Sequence, residues 1–397
     1  MVLIVLLLGV CLSLILGRFV LHGTAARIDE PSNGAQSGLQ TDVSDAPLLT
    51  DHDHVYAYDP ARSDLVALTG KEYKIQDIGY DGYFPTAPFL ILEKERTLYV
   101  LDAEKREIRS TGIMLDEEDA VGVVEYIRIS QDRSRAHFQI SMYAKPFKED
   151  ELGLGGPESI RTREYIYDMA TGAASTSDMV ARAEAAIDSA AYIWFRWWDD
   201  ERDTLYGHPS GHGIESYMPV YAYDIDTGEV STLDHLDHLP YFSPTFSQYL
   251  TVDGESKRLK LYRLGATSAE KEIDISMIDG FQSVAWSPDE SEVAIGTDKA
   301  IYVVSLVTGE VRMRYSDTRV GSSYMYWSRY SLTYSSSGRY VYFIDYDNES
   351  SPPNLTTGNI YRLMAIDTVS DNLLTLHESS KFLSLLSGGY RLPASRE

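Results

Sequence analysis

Short apolar runs, each closed by a polar turn, fill residues 283–311, SVAWSPDESEVAIGTDKAIYVVSLVTGEV. Val284-Ala285-Trp286 is the first run. Ser287-Pro288-Asp289-Glu290 follows as a turn, the proline presetting its φ. Val293 to Gly296 is a second run, and Ile301 to Leu306 a third, after Thr297-Asp298-Lys299. Thr308-Gly309 turns the chain again, glycine supplying a positive φ, into an alternating segment from Val311 to Tyr315. No connection leaves room for a helix. The spacing predicts four antiparallel strands in one meander.

The same grammar recurs along the chain. It appears as VYAYDPARSDLVAL from Val55, LYVLDAEKREIR from Leu98, YIYDMATGAAS from Tyr165 and VYAYDIDTGEVSTL from Val220. It returns as LKLYRLGATSAEKEI from Leu259, as the Ile301 run, and as IYRLMAIDTVSDNLLTL from Ile360. The corresponding residues are Asp59, Asp102, Asp168, Asp224, Arg263, Ser305 and Asp367, at successive intervals of 43, 66, 56, 39, 42 and 62. Short intervals match a bare propeller blade of about 40–45 residues, and long ones imply insertions. The expected fold is all-β, a β-propeller of seven four-stranded blades, with six or eight as alternatives and an unrelated β-sandwich as the rival. A turn before the second strand recurs as well, in RISQDRSRAHF, YFSPTFSQYLTV and TYSSSGRYVYF.

AWSPDESEVAIGTDKAIYVVSLVTGE resembles the WD-repeat-like blade of TolB-type β-propellers, through its W-S-P-D turn and its I-Y-V-V-x-L-x-T-G-E strand. FSPTFSQYLTV and YSSSGRYVYFIDYD are weaker copies. The resemblance covers residues 240–376, and 55–239 by pattern only. It implies a propeller of short sheets, usually extracytoplasmic and usually binding proteins or peptides. It implies no particular partner.

The Val55 marker follows only a polar stretch, so its blade lacks two strands. Phe382–Leu386 and Tyr390–Leu392 are candidates to complete it, closing the ring from both ends of the chain and leaving no sheet edge. The propeller domain is expected over 55–393. Residues 27–54, RIDEPSNGAQSGLQTDVSDAPLLTDHDH, lack periodicity, are rich in Ser, Gly, Asp and Pro, and read as a flexible linker. Residues 1–26, MVLIVLLLGVCLSLILGRFVLHGTAA, carry no charge before Arg18. They read as a hydrophobic transmembrane helix that anchors the chain, with Arg18 snorkelling to the interface. The alternative is a secretory signal peptide cut after Ala26. Both place the remainder outside the cytoplasm, in the periplasm or at the cell surface, meeting the membrane through this segment only.

Charge narrows the partners. The net charge is −25. Arg18 and Arg27 against Asp29, Glu30, Asp42 and Asp45 leave −2 in residues 1–50 and therefore −23 in the rest. Such a surface repels phosphate backbones, which argues against nucleic acid. Cys11 is the only cysteine. Past it, structural disulfides, cysteine-ligated zinc and a cysteine nucleophile are excluded.

Six segments exceed the bare repeat. KPFKEDELGLGGPESIRT (145–162), 208–216 and 346–359 fall between second and third strands; 177–189, 231–239 and 317–330 connect successive blades. In a propeller these two kinds of connection open on the same face, where elaborated loops on a rigid scaffold build binding sites. The 177–189 segment reads as a short helix capped by Ser177 or Asp178. His208, His212, His235 and His238 come from neighbouring loops of this face, with Asp234 and Asp237 beside them. Imidazole and carboxylate suit zinc, and solvated loop histidines are the competing reading. Tyr324, Tyr326, Trp327 and Tyr330 offer contact area to a protein, a peptide or a glycan, or else form a core-facing strand. No G-x-S-x-G, H-E-x-x-H or P-loop is present, so no catalytic residue is assigned and no cofactor is implied. The expected function is a tethered or secreted binding or scaffold module. The alternative is a propeller hydrolase or lyase, metal-dependent or not, acting on an extracytoplasmic substrate.

Overall fold

Seven four-stranded antiparallel sheets follow one another along the chain in a computed structural model. It describes residues 47–51, 53–76, 89–102, 105–130, 134–146, 159–187, 193–209, 219–233, 240–253, 256–278, 280–297, 299–316, 332–347, 360–381 and 383–387. Blade one holds β1 (Leu48–Thr50), β2 (Val55–Asp59) and β3 (Asp64–Ala67). Blade two holds β4 (Lys74–Gln76), β5 (Phe89–Lys94), β6 (Thr97–Asp102) and β7 (Glu107–Met114). Blade three holds β8 (Ala120–Ile129), β9 (Arg135–Ala144), β10 (Arg161–Asp168) and β11 (Ala174–Ser177), and the helix α1 (Met179–Ala186) follows it. Blade four holds β12 (Ile193–Asp199), β13 (Thr204–Pro209), β14 (Tyr221–Asp224) and β15 (Val230–Thr232). Blade five holds β16 (Tyr241–Phe242), β17 (Gln248–Asp253), β18 (Arg258–Arg263) and β19 (Lys271–Asp274). Blade six holds β20 (Phe281–Trp286), β21 (Glu292–Thr297), β22 (Ala300–Ser305) and β23 (Val311–Ser316). Blade seven holds β24 (Leu332–Tyr334), β25 (Tyr340–Asp347), β26 (Ile360–Asp367) and β27 (Leu373–Ser379).

The last strand, β28 (Ser384–Ser387), returns to blade one as its inner strand, with Leu385 opposite Leu49 and Ser384 opposite Thr50. The division of that closure differs from the expectation. β1 comes from within the stretch that reads as linker, so the N-terminal side contributes three strands and the C-terminal side one. Leu48-Leu49-Thr50 is too short to show alternation. It becomes a strand because β2 on one side and β28 on the other both pair with it. Tyr390–Leu392 lies outside the described residues.

The repeat has a physical basis in its turns. All seven marker residues are the last residues of third strands. The side chains of Asp59, Asp102, Asp168, Asp224 and Asp367 each accept a backbone N–H of the following turn, from Ala61, Lys105, Thr171, Thr227 and Val369 (2.7–3.0 Å). Ser305 does the same for Thr308. These are Asx- and ST-type turns, a local use of a short polar side chain. The turn between first and second strands has its own device. Buried Ser130, Ser243, Ser287 and Ser335 accept N–H groups from Arg135, Gln248, Glu292 and Tyr340, five residues on.

Side-chain alternation sorts each blade's core residues between its two neighbours. In blade six, Val293, Ile295, Tyr302 and Val304 pack with Leu250, Leu259 and Ile273 of blade five. Ala294, Ile301 and Val303 pack instead with Val341, Phe343 and Ile366 of blade seven. Six of the seven interfaces between successive blades hold an apolar cluster from both sheets, including blade seven against blade one. The interface of blades three and four is the exception. There α1 inserts Met179, Val180 and Ala183 against Ile193, Phe195 and Leu205 of blade four.

Antiparallel meanders put the connections after second and fourth strands at one end of the ring. Those after first and third strands lie at the other. All six elaborated segments join strands at the first end. One long connection, 77–88 between β4 and β5, belongs to the second end.

Candidate functional site

The elaborated end is bordered by well-defined strand termini: Pro209 and Tyr221, Thr232 and Tyr241, Ser316 and Leu332. His212, His235, His238, Tyr324, Tyr326, Trp327 and Tyr330 lie between these termini and outside the described residues. His208 is described, as the penultimate residue of β13. It is no loop residue. Only 4 % of it is exposed, and its ring meets Trp194 edge-on (5.8 Å between centroids) and Trp197 at a tilt (6.2 Å).

The hydrogen bonding of His208 sets its chemistry. Nδ1 lies 3.0 Å from the carbonyl of Pro209, an acceptor only, so Nδ1 carries the proton and donates. Nε2 is then a lone pair, buried and without a hydrogen-bond partner among the described residues. Burial pushes the imidazole down to about 4 and the Arg196 charge adds to this, against the bond to Pro209. The ring is neutral at neutral pH. A neutral imidazole with one nitrogen tied to a carbonyl and the other bare is the form in which histidine ligates metals. Among the described residues, however, no group of three or more His, Cys, Asp or Glu is placed to hold an ion.

Two further polar groups occupy this end. In blade three, Glu117 pairs with Arg161 and Arg163, and Lys145 pairs with Asp116 at 2.7 Å. In blade one, Asp51 accepts the N–H groups of Asp53 and His54 and the hydroxyl of Tyr56 (2.9–3.0 Å). Burial and these bonds to Asp51 push the Tyr56 hydroxyl up to about 12. Asp51, Asp53 and His54, which read as solvated linker in the sequence, form the turn from β1 to β2.

The most developed polar network was not anticipated. Arg128, only 1 % exposed, donates Nε to the Phe195 carbonyl of blade four (2.8 Å), Nη1 to His137 Nδ1 (3.1 Å) and Nη2 to Gln139 (2.9 Å). Because a guanidinium only donates, His137 Nδ1 must accept and Nε2 must carry the proton. That Nε2–H meets Glu164 at 3.0 Å. Glu164 in turn accepts the N–H groups of Val180 and Ala181 (2.9 and 2.8 Å), the first turn of α1. The helix is thus capped from β10, not by Asp178, which makes no side-chain cap. Ser177 contributes only a long bond to Met179 N–H (3.3 Å).

Burial first, and the Arg128 charge second, push His137 down to about 4, against its bond to Glu164. Burial pushes Glu164 up, but the bonds from His137, Val180 and Ala181 outweigh it and hold the carboxylate below its ordinary value. The result is a buried Arg⁺–His–Glu⁻ relay that fastens α1 and blade four to blade three. A signal was present in RISQDRSRAHFQI. Arg128, His137 and Gln139 are polar residues at positions that alternation assigns to the inter-blade core.

No protein-family profile matches the chain, and neither does any curated relative. Solved structures resemble it distantly. TolB from Acinetobacter baumannii is 14% identical, over 85% of this chain and 77% of that one, with a TM-score of 0.38. Dipeptidyl peptidase 4 of Porphyromonas gingivalis is 12% identical over 83% of this chain (TM-score 0.41), and the chain spans only 48% of that enzyme. Dihydro-heme d1 dehydrogenase NirN is 12% identical over 94% of this chain and 79% of that one (TM-score 0.48). No role passes from any of these to the present chain. Strand order and ring closure carry the assignment: the protein is a seven-bladed β-propeller.

Proposed function

We propose that this propeller is an exported binding or scaffold module whose protein or peptide partner docks on the end of the ring that carries the long connections. One observation supports this above the rest: six insertions, scattered from 145 to 359 in sequence, all join strands at that end. A ring whose blades are packed on both sides is a rigid support for variable loops, the arrangement on which binding surfaces are built. His212, His235 and His238, with Tyr324, Tyr326, Trp327 and Tyr330, are the side chains we assign to the surface, and a glycan is the alternative ligand for the aromatic group. Residues 1–26 are apolar enough for an anchor or a signal peptide. Among the described residues, which begin at 47, no helix is long and apolar enough to cross a membrane. The test is partner binding after Trp327→Ala and after replacing 210–218 by a glycine–serine segment. An aromatic anchor contributes about 2 kcal/mol or more, so each variant should bind at least about thirtyfold more weakly. Unchanged affinity in both overturns the proposal.

His208 favours one second reading, a metal-dependent hydrolase or lyase with His208, His212, His235 and His238 as ligands. Its bare Nε2 points to that chemistry. The reading requires stoichiometric zinc in the purified protein and its loss in His208→Ala with His235→Ala; a protein that never retains zinc excludes it.

A further inference from the structure

Blade five departs from the repeat at a telling position. Every other third strand ends in an Asp or Ser that caps its own turn, whereas blade five ends in Arg263. Its turn is held instead by Ala266 N–H donating to the Arg263 carbonyl (3.0 Å), with Gly265 at φ 83°. A second departure lies next to it. In the turn between first and second strands, blades three, five, six and seven use a serine, whereas blade four uses Asp199. That carboxylate accepts the Arg202 N–H (3.2 Å) and holds Arg202 Nη1 at 2.6 Å.

The two departures meet. Arg202 and Arg263 line one open cleft of about 430 Å³ between blades four and five, together with Ser247, Gln248, Leu264 and Glu270. All six residues lie in turns or at the strand ends beside them, at the end opposite the elaborated loops. Ser247 and Gln248 are committed to Glu290, at 2.7 and 3.3 Å. Glu270 holds Nε of Arg263 at 3.0 Å. Each guanidinium carries five N–H donors in a planar fork, and each meets one carboxylate among the described residues. Neither position demands an arginine: Asp or Ser stands in place of Arg263 in the other six blades, and Phe246, Glu290 and Gly338 stand in place of Arg202 in blades five, six and seven. Asp199 and Glu270 balance the two charges, so what the cleft offers is the remaining N–H donors of two guanidinium groups.

We propose that Arg202 and Arg263 make this cleft a binding site for an oxyanion, a carboxylate or phosphate group, by fork-to-oxygen hydrogen bonding. The test is an equilibrium titration of the full chain at low salt with inorganic phosphate and, separately, with N-acetylglycine. Saturable binding of phosphate alone identifies a phosphate-bearing ligand, of N-acetylglycine alone a carboxylate, and of both a general oxyanion site. Arg263→Asp restores the residue of the other blades, so it should keep or raise the melting temperature while weakening binding at least about tenfold, the loss of one charge-assisted contact. Arg202→Gln should weaken binding similarly, and if it fails to fold, Arg263→Asp alone decides. No saturable binding of either probe, or full binding by Arg263→Asp, overturns the proposal.

Discussion

Ring closure makes a quantitative demand on two leucines near the end of the chain. Leu383 and Leu385 are each 4 % exposed and pack with Leu49, Tyr340, Tyr342 and Leu363 across the junction of blades seven and one. Burying a leucine is worth about 1.5–3 kcal/mol, so removing residues 380–397 forfeits about 3–6 kcal/mol from these two alone. It also strips β1 of its pairing with β28 and leaves an open sheet edge. Domains of ordinary stability hold only about 5–15 kcal/mol, so the truncated ring should be close to unfolding. Leu385→Ala is the milder perturbation and should cost about 2–5 kcal/mol through lost transfer and the cavity left behind. Val369→Ala, at an 82 % exposed position, is the control and should stay within about 0.5 kcal/mol. Urea unfolding followed by tryptophan fluorescence reads all three. A Leu385→Ala midpoint that matches the control would refute the two-ended closure.

Acid should weaken the fold through His137 and His208. Both sit near 4 when folded against 6.5 when unfolded; the unfolded chain therefore binds protons first, and stability falls as pH drops from about 6.5 towards 4, by up to about 3 kcal/mol per histidine. Falling net charge works the other way, so the readout is the pH slope lost in His137→Gln with His208→Gln, and equal slopes would contradict the assignment. Glu164→Gln leaves Arg128 without the carboxylate that its relay ends on and should cost about 3 kcal/mol in urea unfolding; a neutral effect would show that α1 needs no cap from β10. At Gly207 an added Cβ meets Phe195 Cδ1 at 2.8 Å and Phe195 Cα at 3.0 Å, so Gly207→Ala should cost about 1–3 kcal/mol by overpacking, and an unchanged melting temperature would mean the inner strand lies farther away.

The blade repeat was legible because six of the seven markers have a local cause: a turn that needs a side-chain acceptor selects Asp or Ser at the strand end whatever the rest of the blade does. The seventh third strand, ending in Arg263, was legible from its alternating run LKLYR alone. β1 escaped because three residues carry no period, and β28, the strand on its inner side, lies more than three hundred residues away. His208 was read as a loop residue because β13 runs to Pro209, and a proline at a strand end looks like a turn. The relay of Arg128, His137 and Glu164 escaped for a different reason. Its members lie on three strands, and only the fold shows that the Arg128 cation and the Glu164 carboxylate satisfy one another through the neutral His137 between them. The link from Glu164 to α1 is likewise invisible in a helix whose own N-cap residue makes no cap.

The central claim is that the end carrying the long connections is the working surface, and site-specific photocrosslinking tests it most directly. A photoreactive residue is placed in turn at Tyr326 and His212, and at Ser337 and Thr227 in the turns of the opposite end. Each version is then exposed to the same extracytoplasmic extract. The account predicts one shared partner adduct from positions 326 and 212 and none from 337 and 227. An adduct that forms chiefly from 337 and 227 would contradict it.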